Sequence, residues 1–244
     1  CYIITILGST GCKIELPSPP PDLFYKFNVL NVGLGPAHLI SVDLNLDGYI
    51  DLVSANAKNN TLSILLGNGN GNFRKALTFQ VDSEPTTVAT GDVNRDGIPD
   101  LLTNARGAGK YVVLLGYGNG SFRKLPGVQT GKVPLAIIPA DFNGDGNLDV
   151  AITLTFDKME IFLGLGNGIF KKGETYLTGS RSFSGVVEDF DSDGNIDIAL
   201  ATSSSVSSSI RLYQGNGDGT FSKPKQIAQG LIPLTLIKMD MNNN

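Results

Sequence analysis

Several residue types that carry common protein chemistries are scarce in this sequence. Tryptophan is absent, histidine occurs once and methionine three times among 244 residues. The two cysteines are too few for a disulfide framework. Because His38 is the single histidine, neither a Ser-His nor a Cys-His catalytic pair is expected. We therefore predict that the protein is not an enzyme.

Charge and hydropathy disfavour two further classes of protein. The formal net charge is −4, which gives none of the basic excess expected of a nucleic-acid-binding surface. No window of 18 uninterrupted apolar residues occurs, so no membrane-spanning helix is predicted. Hydrophobic residues still make up 41% of the chain, which is enough for a packed core.

Glycine is abundant, at 30 of 244 residues against a usual share of about 7%, and it marks an internal repeat. In five places a phenylalanine lies 19 residues before an aspartate. Four of these phenylalanines follow a glycine-rich stretch, and the fifth is near the start of the chain. Successive aspartates are 48 to 51 residues apart. The pairs are Phe24 and Asp43, Phe73 and Asp92, Phe122 and Asp141, Phe170 and Asp189, and Phe221 and Asp240. Such regular spacing indicates one supersecondary unit copied along the chain.

Each unit of about 49 residues predicts four short strands and no helix. Four strands per unit are typical of a β-propeller blade, and a solenoid of hairpins is the alternative. Residues 24–32 match only the last strand of a unit, as expected where a lone strand completes the final blade of a ring. We expect an all-β propeller of four-stranded blades, with four full and two partial blades in this sequence and seven in the complete ring.

A loop rich in aspartate follows the first predicted strand of each unit. Its pattern is Asp-x-Asn/Asp-x-Asp-Gly-x-x-Asp, and a fifth copy begins at Asp240 and Asn242. Oxygen atoms at positions 1, 3, 5, 7 (through the backbone carbonyl) and 9 suit Ca²⁺, which takes six to eight hard oxygen ligands. Mg²⁺ keeps more of its waters, and softer metals prefer His or Cys. A set of plain hairpin turns is the alternative interpretation.

The predicted calcium ligands are the residues at these five positions in four loops. They are Asp43, Asn45, Asp47, Tyr49 and Asp51; Asp92, Asn94, Asp96, Ile98 and Asp100; Asp141, Asn143, Asp145, Asn147 and Asp149; and Asp189, Asp191, Asp193, Asn195 and Asp197.

Alternating glycines precede four of the repeated phenylalanines, as in Gly67-Asn-Gly69-Asn-Gly71-Asn-Phe73. A phosphate-binding loop would need a following helix and a Lys-Ser/Thr pair, and neither is present. We interpret these segments as tight turns between the third and fourth strands. The phenylalanine is expected to anchor the core of the blade.

The two motifs together, D-x-[ND]-x-D-G-x-x-D and L-G-x-G-x-G-x-F, resemble the FG-GAP/VCBS repeat of the integrin α-subunit propeller and of many secreted bacterial proteins. The resemblance covers residues 24–244. It implies a seven-bladed ring that holds Ca²⁺ in the aspartate loops. It also implies a partner that binds the opposite face or the grooves between blades.

The start of the chain carries a different signal. An apolar run, residues 2–7, precedes Ser9-Thr10-Gly11-Cys12, and it resembles the end of a secretory signal peptide. Cys12 could be the lipidated cysteine of a bacterial lipoprotein, anchored in an outer membrane; an ordinary signal peptide is the alternative. We divide the chain into residues 1–12 (signal remnant), a Pro-rich linker at 13–23 and the propeller at 24–244.

The sequence therefore predicts a secreted or surface-anchored, calcium-binding adhesion or ligand-binding module. The alternative is a lectin-like propeller, or the non-catalytic propeller of a polysaccharide-active enzyme. We expect a monomer with an extracellular protein or glycan partner. Aromatic residues available for stacking on sugars are Tyr49, Tyr111, Tyr117, Tyr176 and Tyr213.

Overall fold

The computed structural model describes residues 30–203, 208–230 and 235–237. Within these residues the chain forms 17 strands and one short 3₁₀ turn, Arg106–Ala108. The strands make four separate antiparallel sheets that follow one another along the chain. No described helix is long and apolar enough to cross a bilayer. The prediction of an all-β chain is confirmed.

Each sheet is one blade, and its strands pair in chain order. Blade 1 contains β1 (Pro36–Val42), β2 (Asp51–Asn56), β3 (Thr61–Leu65) and β4 (Leu77–Gln80). Blade 2 contains β5 (Val88–Gly91), β6 (Asp100–Ala105), β7 (Lys110–Gly116), β8 (Phe122–Lys124) and β9 (Val128–Gln129), where β8 and β9 both pair with β7. Blade 3 contains β10 (Pro134–Ala140), β11 (Asp149–Leu154), β12 (Lys158–Gly164) and β13 (Phe170–Leu177). Blade 4 contains β14 (Arg181–Glu188), β15 (Asp197–Ser203), β16 (Ser208–Tyr213) and β17 (Lys225–Gln229).

The blades pack face to face through their middle strands, which are buried on both sides. Runs such as Leu101 to Ala105 are continuously buried, because one residue faces the preceding blade and the next faces the following blade. Three apolar clusters result, one at each junction between successive blades. The first strands of successive blades also contact one another, which places them on the inner side of the array.

The structure bears out the repeat predicted from the sequence. The second strand of every blade begins at the ninth residue of an aspartate loop. Phe122, Phe170 and Phe221 pack against the three cores, as anticipated for the repeated phenylalanine. Phe73 is half-buried and pairs with Gly67 in an isolated bridge.

Some predicted features fall outside the described residues. They are the signal remnant with Cys12, the Pro-rich linker, most of the lone strand at 24–32 and the fifth aspartate loop from Asp240. Of the fifth unit the structure describes residues 235–237, where the Leu236 N–H donates to the Ser184 hydroxyl of β14 (3.0 Å). At the equivalent positions of blades 1 and 2, the Val88 N–H donates to His38 Nδ1 of β1 (3.3 Å). His38 therefore occupies an ordinary contact position between blades.

Candidate metal centres

The four complete aspartate loops all lie at the same end of their blades, between the first and second strands. Their fourth residue has a left-handed backbone in every case, with φ of 57° at Leu46, 63° at Arg95, 69° at Gly144 and 62° at Ser192. This conformation turns the loop back on itself. The backbone N–H groups and the carboxylates consequently converge inside the loop.

The aspartate at position 9 is fully buried in all four loops, with 0% exposure. In the third loop, one carboxylate oxygen of Asp149 accepts the Phe142 N–H at the loop start (2.9 Å). The other accepts the Gly164 N–H at the end of β12 (2.7 Å). Asp51, Asp100 and Asp197 make the same two bonds. This side chain therefore ties the loop to the glycine segment, a structural role that the sequence motif did not indicate.

The aspartate at position 1 accepts backbone N–H groups from within its loop. In the second loop, Asp92 Oδ2 accepts the Gly97 N–H (2.8 Å) and Asp92 Oδ1 accepts the Asp96 N–H (3.2 Å). Position 5 is more exposed, and Asp96 Oδ1 accepts the Ile98 N–H (2.9 Å). These bonds hold carboxylate oxygens in fixed positions around the loop.

Loop 4 is the most acidic of the four because Asp191 stands where the others have asparagine. Ligand oxygens of Asp189, Asp191 and Asp197 all lie within 4.8 Å of one another. Asp191 also accepts a hydrogen bond from the Gln214 side chain. The predicted ligands at positions 1, 3 and 9 are thus brought together here. Three hard carboxylates at this separation fit a divalent cation that takes oxygen ligands, as Ca²⁺ does.

Burial alters the acidity of the innermost carboxyl groups. Desolvation raises the pKa of Asp100 to about 6, although the Gly116 and Val93 N–H groups act in the opposite direction. Desolvation likewise raises the pKa of Asp149 to about 6. Neighbouring aspartates of the same loop add to both increases. A bound cation would favour the ionised form of these groups.

The glycine segments pack closely against the aspartate loops. A Cβ atom on Gly164 would lie 2.2 Å from the Leu148 carbonyl oxygen, and the first glycine of the other three segments is equally crowded by loop backbone. The second glycine lies under the side chain at loop position 7; a Cβ on Gly69 would lie 2.2 Å from the Tyr49 ring. The aspartate loop and the glycine segment of a blade are therefore one packed unit.

Neighbouring units are linked from blade to blade. The Gly168 N–H of blade 3 donates to the Val93 carbonyl in the loop of blade 2 (3.0 Å). The Gly219 N–H of blade 4 donates in the same way to the Phe142 carbonyl of blade 3 (3.1 Å). A loop that is held in place by a cation would thereby support the hairpin of the next blade.

The five tyrosines predicted to be available for stacking on sugars are not all exposed to solvent. Tyr111 and Tyr213 are fully buried, and Tyr176 is half-buried. Tyr49 and Tyr117 are exposed at the loop end of the blades. Phe156 is 66% exposed at the opposite end. No sequence pattern distinguished it, because it lies in the variable turn between β11 and β12.

Comparison with protein families agrees with the repeat. The model of the FG-GAP-like repeat matches residues 43–103, 141–200 and 189–244. The model of the FG-GAP repeat matches residues 85–122. No curated protein matches the chain.

Solved structures share the fold at low sequence identity. A Bacteroides fragilis protein provisionally named a 6-phosphogluconolactonase is 17% identical, with a TM-score of 0.62 over 85% of this chain and 61% of its own. A Bacteroides uniformis protein of the same provisional name is 12% identical, with a TM-score of 0.60 over 82% of this chain and 61% of its own. BBS1N, solved in complex with ARL6DN, is 15% identical, with a TM-score of 0.52 over 77% of this chain and 50% of its own. The chain thus spans 50 to 61% of the length of these three structures.

Proposed function

Since this chain belongs to the FG-GAP repeat family, we propose that its four aspartate loops bind Ca²⁺ and that the blades form a calcium-stabilised ligand-binding module. The observation that carries the proposal is the convergence of Asp189, Asp191 and Asp197 within 4.8 Å. The same loop backbone recurs in the other three blades, where asparagine replaces the second acid.

The cation would relieve a repulsion that is built into each loop. Three or four carboxylates stand in every nine-residue loop, and like charges so close together oppose folding. Four bound Ca²⁺ ions would change the formal net charge from −4 to +4, since each adds two positive charges. Binding to the folded state alone would also stabilise it by mass action.

Thermal unfolding of the full chain tests this directly. We expect millimolar Ca²⁺ to raise the melting temperature relative to EDTA, and the same concentration of Mg²⁺ to raise it less. In Asp191→Asn, loop 4 has the composition of the other loops, so the Ca²⁺ effect should be retained. The rise in melting temperature with Ca²⁺ should be smaller in Asp189→Ala, which lacks a carboxylate at position 1. A melting temperature that is the same in Ca²⁺ and EDTA would rule out the calcium sites.

We further infer that the protein works outside the cell, secreted or anchored at the surface through Cys12, as a monomeric and non-enzymatic adhesion module. The resemblance to secreted repeat proteins and the apolar run before Cys12 support this. A protein found in the cytoplasmic fraction after expression in its source would contradict it. Carbohydrate binding is the second candidate, favoured by the exposed aromatic rings of Tyr49, Tyr117 and Phe156.

We infer that the four blades belong to a larger ring. An apolar groove of about 370 Å³ lies on the side of blade 1 that faces away from blade 2, lined by residues such as Leu39, Leu52 and Leu65. At other junctions the equivalent side is covered by a neighbouring blade. A further blade would cover this groove, and a total of seven remains a prediction.

A further inference from the structure

The end of the blades opposite the aspartate loops carries an exposed aromatic residue in a strained conformation. Phe156 lies at the tip of the turn between β11 and β12, is 66% exposed and has φ of 64°. The next residue, Asp157, is also left-handed, with φ of 58°. A bulky side chain in this region of backbone space is a genuine outlier and costs stability.

The turn is held in this conformation from both sides. The Thr155 N–H donates to the Val133 carbonyl (2.9 Å), and the Thr178 N–H donates to the Asp157 carbonyl (2.8 Å). Phe156 itself belongs to none of the three blade cores. The fold thus holds an aromatic ring in solvent at a cost, and contact with a ligand would explain why.

One cation lies beside this ring, and two more lie at the starts of strands that contact β11, the strand before the turn. Lys132 Nζ lies 5.8 Å from the centroid of the Phe156 ring. Lys158 begins β12 and Arg181 begins β14, and both side chains are exposed. Among the described residues, Lys132, Lys158 and Arg181 form no ion pair with a carboxylate. Asp157 is the single carboxylate in the turn.

We propose that this turn surface, formed by Phe156, Lys132, Lys158 and Arg181, binds an anionic polysaccharide that contains uronic acids. The C–H groups of one sugar ring would pack against Phe156, and the carboxylates of neighbouring sugars would pair with the three cations. An acidic peptide would satisfy the cations but has no need of an exposed aromatic platform. The proposal rests on the ligand-binding function proposed above and specifies its ligand.

The test is affinity electrophoresis of the full chain through gels that contain hyaluronan, with Ca²⁺ present. Carboxyl-reduced hyaluronan and polyglutamate serve as matched gels, one without the charge and one without the sugar. We expect retardation by hyaluronan alone. Phe156→Ala and Lys132→Gln should each weaken binding about fivefold. Lys223→Gln removes an exposed charge elsewhere and should change nothing.

A second variant separates binding from folding. Phe156→Gly suits the left-handed backbone, so its melting temperature should equal or exceed that of the wild type while hyaluronan binding falls. Equal binding by Phe156→Gly and wild type would overturn the proposal, as would equal retardation by polyglutamate or an equal effect of Lys223→Gln. A protein that melts higher in Ca²⁺ but ignores hyaluronan would overturn this proposal alone. Absence of any Ca²⁺ effect would instead count against the metal sites.

Discussion

At the residue scale, the carboxylate at loop position 9 is both a proposed calcium ligand and a structural hydrogen-bond acceptor. Asp149 is a proposed calcium ligand, and it accepts backbone N–H groups through both of its oxygens. Asp145 in the same loop is exposed and accepts the Asn147 N–H through one oxygen (2.7 Å). The two aspartates should therefore differ in their effect on the metal-free protein.

We predict that Asp149→Asn destabilises the protein by about 2 kcal/mol in EDTA. An amide has one acceptor oxygen, so one buried N–H donor would lose its partner. Asp145→Asn should cost less than about 0.5 kcal/mol under the same conditions, because surface substitutions away from buried networks have small effects. Urea unfolding measures both free energies. Equal losses in the free energy of unfolding for the two variants would show that the burial of Asp149 does not increase its contribution to stability.

Two buried tyrosines make a second matched pair. The Tyr111 hydroxyl is buried and has no hydrogen-bond partner among the described residues. The Tyr213 hydroxyl donates to the Leu177 carbonyl (2.8 Å). Tyr111→Phe should be neutral or stabilising, whereas Tyr213→Phe should cost about 1 kcal/mol. The order of their melting temperatures decides the matter, and the reverse order would contradict it.

At the scale of the structural element, each glycine segment packs directly against the aspartate loop of its blade. We predict that Gly164→Ala costs about 3 kcal/mol, because its Cβ would lie 2.2 Å from the Leu148 carbonyl oxygen. Gly173 within β13 is the control, since its Cβ would meet the nearest atom at 3.5 Å. Gly173→Ala should be neutral or stabilising by about 0.5 kcal/mol. The same change in stability for both variants would show that the Leu148 carbonyl does not restrict position 164.

The elements that could be predicted from the sequence are those whose signal repeats. Five copies of one spacing placed the aspartate loops and the strands beside them, since independent agreement between units outweighs local ambiguity. Features that occur once gave no such signal. The exposure of Phe156 depends on a left-handed turn in one blade, and the burial of Tyr111 depends on Phe162 and Phe170 packing against it. Both are set by tertiary contacts.

At the scale of the whole molecule, the buried carboxyl groups predict an unusual dependence of stability on pH. The folded-state pKa of Asp100 and Asp149 is raised to about 6, against about 4 for an aspartate in an unfolded chain. Between these values the folded protein binds more protons than the unfolded one, so stability rises as the pH falls. This gain is complete below pH 4 and absent above pH 6.

We therefore expect the metal-free protein to melt at a higher temperature at pH 5 than at pH 7. Below about pH 4 the trend should reverse, because Lys110 and Lys124 hold the pKa of Asp82 below its usual value and that stabilisation is lost on protonation. With saturating Ca²⁺ the advantage of pH 5 should vanish, since protons compete with the cation for the same oxygens. Melting curves in chelator-treated buffers test this. A melting temperature that falls steadily from pH 7 to pH 5 without metal would contradict it.

Equilibrium dialysis decides whether the aspartate loops are calcium sites. The full chain is dialysed against micromolar to millimolar Ca²⁺, and bound calcium per chain is measured by elemental analysis. We predict a plateau of at least four ions, one for each complete loop, with one fewer in Asp189→Ala and no change in Lys223→Gln. A folded protein that retains no calcium at millimolar concentration would show that the loops are not calcium sites.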